Sequence, residues 1–105
     1  LDAVRRTGGA IEDVSDAEVV EGIRLLAETE GIFAETAGGV VVATLRKLLA
    51  SGALDGSQET VILNTGDGLK TLDAIADHVA PTATIAHDVD EVTRVIAEHH
   101  ARTQS

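Results

Sequence analysis

Thr60-Val61-Ile62-Leu63-Asn64-Thr65-Gly66-Asp67-Gly68-Leu69-Lys70-Thr71 is the stretch on which the fold turns. A β-branched apolar run leads into a polar, glycine-rich turn, and the turn opens onto Leu69, Leu72, Ile75 and Ala76, spaced to share one helix face from about Leu69 to His78. A strand ending in such a turn at a helix start sets a hydroxyl and several backbone N–H groups where α/β proteins bind ligands. The pattern therefore predicts an α/β fold, a partial doubly wound parallel sheet with flanking helices, and it puts Thr65 at the carboxyl edge of a strand.

Upstream, Ser15-Asp16-Ala17-Glu18 reads as a capping box, followed by Val19, Val20, Ile23, Leu26 and Ala27 on one helical stripe that Gly31 ends. A second helix is expected from about Thr36 to Ser51, with Gly52 past its end. Its first half, Ala37 to Ala43, is uncharged on every face and should be buried nearly all round. Gly38 and Gly39 cost about 1 kcal/mol each relative to alanine there, so something must approach that turn closely. Short strands are expected at Ala10–Val14 and, after a break at Pro81, at Thr82–Ala86. Asp88 and Glu91 repeat the capping pattern before Val89, Val92, Val95 and Ile96, and Ala101 to Ser105 reads as a frayed tail. Leu1 to Gly9 resembles the end of a helix with its glycine stop, as if the chain began within an element.

Composition bounds the rest. The 105 residues suffice for one domain, and with a single aromatic, Phe33, the core must be thin and aliphatic. A net charge of −10 repels polyphosphate, which disfavours nucleic acid and anionic membranes as partners. No apolar stretch nears the roughly 18 residues of a membrane span, the first residues show no basic-then-apolar signal pattern, and cysteine is absent. A cytoplasmic location is expected on these grounds.

Other chemistries fit poorly. Gly66 and Gly68 form Gly-x-Gly, yet the third glycine of a dinucleotide loop would fall at Thr71. The two glycines are better explained by positive φ in the turn, with N–H groups that also face a ligand. His99-His100 lacks a surrounding ligand cluster, and Asp55-Gly56-Ser57-Gln58-Glu59 lacks the repeated acids of a calcium loop. Thr65 either caps its own turn or offers a hydroxyl to a ring nitrogen, and Glu35 is either a capping charge at a helix start or a wall of a site.

Gly31-Ile32-Phe33-Ala34-Glu35-Thr36-Ala37-Gly38-Gly39, taken with Asn64 to Thr71, resembles the carboxy-terminal part of the threonine synthases, pyridoxal-phosphate enzymes of the second fold type. The resemblance runs from Ala10 through the last helix, and Thr36 stands where the family's Ala-Glu-Pro-Ala-Gly-Gly motif has proline. It implies that residues 1–105 are one carboxy-terminal segment of a cofactor-binding catalytic domain. It further implies conversion of O-phospho-L-homoserine and water to L-threonine and phosphate, with Thr65 meeting the pyridine nitrogen and with Gly66, Gly68 and Glu35 lining the pocket. Lys47 and Lys70 are weighed as the lysine that bonds the cofactor aldehyde. Lys47 reads as compensation of a helix dipole and Lys70 as a surface or phosphate-facing cation, so the family's catalytic lysine, in a Phe-Lys-Asp-type motif, is absent and the isolated segment should be inactive. Two alternatives stand beside this: a non-catalytic binding or assembly module derived from the fold, and a sibling enzyme such as a threonine or serine dehydratase. A cut sheet would expose edges and apolar faces, so self-association is expected.

Overall fold

A computed structural model describes residues 1–79, 81 and 83–103, with Thr103 described by its backbone alone. Its centre is a pair of helices, α2 (Asp16–Glu30) and α3 (Thr36–Ala50), preceded by a short α1 (Asp2–Thr7) and followed by a 3₁₀ segment (Gly68–Ala74) and α4 (Val89–Thr103).

The sequence explains the helix pair residue by residue. The capping box of α2 is formed: the Glu18 N–H donates to Ser15 Oγ, and the Ser15 N–H donates to Glu18 Oε2 at 2.7 Å. Gly31 closes the helix at φ 68°, a left-handed conformation cheap only for glycine; its N–H donates to the Ala27 carbonyl and the Ile32 N–H to that of Leu26. Gly22 and Gly39 lie at the crossing, where a Cβ on Gly22 would collide with the Gly39 carbonyl and one on Gly39 with the Val19 carbonyl. The close approach that the glycine pair of α3 demanded is thus α2 itself, with Gly38 pressed on the Ala34 methyl and the Asn64 side chain. Ile23, Leu26, Val42 and Ala43 fill the seam, and Ile23 is 1% exposed. Lys47 and Glu18 join the outer edge, Nζ to Oε1 3.1 Å.

Several expectations differ from what the structure shows. The first half of α3 is buried on one side only: α2 covers the face of Gly39 and Val42, and Ala37 and Val40 on the other side are exposed. No parallel sheet forms among the described residues, where the one β pairing is an isolated antiparallel bridge between Ala34 and Asp67. Residues 10–14, 60–63 and 83–86 have no regular structure, and Thr82 lies outside the described residues. Strand hydrogen bonds need a neighbour, and Val61 and Leu63, 79% and 74% exposed, have none among the described residues. The expected helix at 69–78 is a 3₁₀ segment that breaks at Thr71 and then a turn, although Ile75 is buried as its pattern required. Residues 101–103 continue α4 instead of fraying, while 104 and 105 lie outside the described residues. The cap of α4 is shifted as well: Asp88 Oδ1 accepts from the Asp90 N–H, but Glu91 takes the N–H of Ala86.

The Cα radius of gyration is 18.6 Å, against about 13 Å for a compact chain of this length.

Candidate functional site

Two loops meet at the start of α3. The Glu35 N–H donates to the Gly66 carbonyl at 3.2 Å and the Gly68 N–H donates to the Phe33 carbonyl at 3.0 Å, the two bonds flanking the Ala34–Asp67 bridge. Residues 33–36 and 64–71, which sequence reasoning combined into one site, are therefore laced together by backbone. The Phe33 ring lies 2.6 Å from where a Gly68 Cβ would stand, and the Glu35 carboxylate occupies the space a Gly66 Cβ would need. Positive φ does not explain these glycines: among the described residues it occurs at Gly8, Gly31 and Gly52. Close approach of two other side chains is the reason.

Around this clasp the candidate residues differ in what remains open. Thr65 is exposed, and its hydroxyl and the Gly66 N–H have no hydrogen-bond partner among the described residues. Thr65 does not cap the turn; Asp67 does, its Oδ1 accepting from the Leu69 N–H at 2.8 Å. Gly68 is buried and its N–H is already spent on Phe33, so its contribution is space rather than donation. Glu35 is the N-cap residue of α3, yet its side chain makes no cap bond. The carboxylate, 18% exposed, points past Gly66 to Lys70, with Nζ to Oε2 3.9 Å.

The lysines are placed accordingly. Lys47 is held between Glu18 and the Asp13 carbonyl, the latter at 2.7 Å, and its hydrogen bond to Glu18 raises its pKa from 10.5. A lysine kept protonated is a poor nucleophile. Lys70 is a surface cation, as expected, with the Glu35 carboxylate as its ion-pair partner.

Sequence reasoning passed over Phe33, Asn64, Asp67 and Thr71, all part of this junction. For Asp67 a signal existed, since aspartate two residues before an N–H in a glycine turn commonly accepts from it. Nothing in the spacing marks Thr71, whose partner, Thr36, lies 35 positions away.

Among the described residues no group of histidines, aspartates and glutamates could hold a metal ion, and no helix is long and apolar enough to cross a membrane. The family model for pyridoxal-phosphate dependent enzymes matches residues 1–66, which hold α1 to α3, the loop before α3 and the first part of its partner loop. The chain belongs to the pyridoxal-phosphate-dependent enzyme family.

Within this family the relatives are consistent. The threonine synthase of Methanocaldococcus jannaschii is 40% identical over 98 residues, 93% of this chain and 24% of that protein. A Bacillus threonine synthase is 34% identical, over 88% of this chain and 26% of its own length. That of Methanosarcina acetivorans is 32% identical, over 91% and 24%. The chain is a threonine-synthase-like segment of the family, spanning about a quarter of the length of these curated relatives.

Proposed function

We propose that residues 1–105 are a carboxy-terminal segment of a threonine synthase and supply one wall of its pyridoxal-phosphate site. The complete enzyme then converts O-phospho-L-homoserine and water to L-threonine and phosphate. The observation that carries this reading is the clasp of loops 33–36 and 64–71, which leaves the Thr65 hydroxyl unspent at its rim.

The donor set suits the cofactor. A hydroxyl donates one hydrogen bond to a pyridine nitrogen and, unlike a carboxylate, does not keep a proton there. Bound pyridoxal phosphate supplies an electron sink that acidifies the carbons of an amino-acid substrate. Thr65 would set how strongly that ring withdraws electrons. The Gly66 N–H is a second donor at the same rim, Gly68 gives the Phe33 ring room to back the turn, and Glu35 places negative charge at the pocket edge. Relatives named threonine synthase favour this reaction over that of a dehydratase.

The nucleophilic lysine belongs outside this chain in this reading. The chain alone, mixed with pyridoxal phosphate, should show no lysine-bound cofactor absorbance and form no threonine. A band abolished by Lys47→Ala or Lys70→Ala would contradict that. The positive test is a chimera in which this chain replaces its 98 matched residues in the Methanocaldococcus jannaschii enzyme. Threonine and phosphate in equal amounts are expected, and a folded, cofactor-loaded chimera that forms neither would contradict the assignment.

Apolar side chains at 61–63 and along α4 stand exposed, and soluble monomers seldom leave contiguous apolar surface in water. The isolated chain should therefore self-associate at tens of micromolar, read by light scattering.

A further inference from the structure

The first turn of α3 is capped from outside. A carboxylate at the N-cap ordinarily accepts from the free N–H groups of its own helix, but Glu35 does not. Its backbone carbonyl takes the Gly38 and Gly39 N–H groups at 2.9 and 3.2 Å. The Thr36 N–H donates instead to the hydroxyl oxygen of Thr71, 3.2 Å away in a partly buried position. The break in the 3₁₀ segment falls at this same residue, with φ −133° and ψ 44°. Lys70, next to it, lies 3.9 Å from the Glu35 carboxylate. One short turn therefore meets both the backbone and the side chain of the loop that leads into α3.

We infer that Thr71 is a positioning residue of the site: by accepting from the Thr36 N–H it ties the start of α3 to the turn that carries Lys70, and so holds the Glu35 carboxylate beside Gly66. The inference rests on the reading of these loops as a cofactor wall. It requires an acceptor at 71 and an N–H at 36. Proline at 36 has no N–H to donate, so in its presence the Thr71 hydroxyl becomes redundant. Glu35, at φ −68° and ψ 175°, already has the extended backbone that a following proline needs.

The test uses the 105-residue chain without cofactor, so its failure is separate from failure of the threonine synthase reading, which product formation by the chimera decides. Amide exchange of Thr36 and the carboxyl ¹³C resonance of Glu35 are followed in Thr71→Val and Thr71→Ser. The valine variant should lower Thr36 protection about fivefold to tenfold, the equivalent of one hydrogen bond, and shift the Glu35 resonance. Serine should restore both. Unchanged Thr36 protection in the valine variant, an unmoved Glu35 resonance, or a serine variant as altered as valine would each overturn the inference. Should Thr71→Val unfold the chain, the background Thr36→Pro decides: there Thr71→Val must add nothing, and any further loss overturns the inference.

Discussion

The α2–α3 pair seals aliphatic side chains into a shared seam, whereas in the stretch from residue 53 to 103 most of the large aliphatic side chains stand exposed and Ile75 is buried. Ile23, Leu26, Val42 and Ala43 are sealed between two helices, whereas Val61, Leu63, Leu69 and Val89 face solvent. Helices satisfy their backbone internally, so two of them with complementary small residues make a finished unit. Extended segments cannot, and an apolar run without a neighbour remains a strand in pattern only. Burial in this molecule follows the availability of a partner more closely than it follows hydrophobicity.

That contrast can be broken most sharply inside the pair. Ile23→Ala empties a fully enclosed site in a thin core and should cost about 3 kcal/mol in urea unfolding followed by circular dichroism. Gly39→Ala comes next. Alanine gains about 1 kcal/mol of helix propensity, but its methyl meets the Val19 carbonyl, which cannot rotate away. Overpacking of that kind costs about 1–3 kcal/mol, so net destabilisation is expected, and a more stable variant would show that the helices part easily.

The edge of the pair is sensitive to pH. Bonds from the Ser15 backbone N–H first, then from Lys47, hold the Glu18 carboxyl at about 2, down from 4.5. A depressed carboxyl stabilises the fold above its unfolded pKa, so this contribution is full above pH 4.5 and fades as pH falls toward 2. Lys47, raised above 10.5, works in the opposite sense: its contribution is full below 10.5 and is lost as pH climbs through the raised value. Glu18→Gln should flatten the acid limb of the urea midpoint against pH. The smallest effect belongs to the open stretch, where Val61→Lys should change stability by less than about 0.5 kcal/mol while reducing light scattering from association. A large loss of stability there would mean that residue 61 has a partner after all.

How much could be read in advance follows the same division. The capping box at Ser15 and Glu18, the stop at Gly31 and the stripe through Ile23 and Leu26 are local signals, and each is realised. The junction was half legible. Glu35, Gly66 and Gly68 were singled out and do meet, but the glycines are explained by the Phe33 ring and the Glu35 carboxylate rather than by left-handed backbone. Thr71 left no trace, since a hydroxyl 35 positions from its donor has no spacing to announce it. The runs at 60–63 and 83–86 carry strand composition, and without a paired neighbour composition does not make a strand.

The account rests finally on residue 65. In the chimera with the Methanocaldococcus jannaschii enzyme, Thr65→Val should change the absorbance of the bound cofactor and lower kcat by about tenfold or more, the order of a lost hydrogen bond to a charged or polarised group, whereas Thr65→Ser should restore both. A valine variant with unaltered spectrum and turnover would show that the hydroxyl never meets the ring nitrogen.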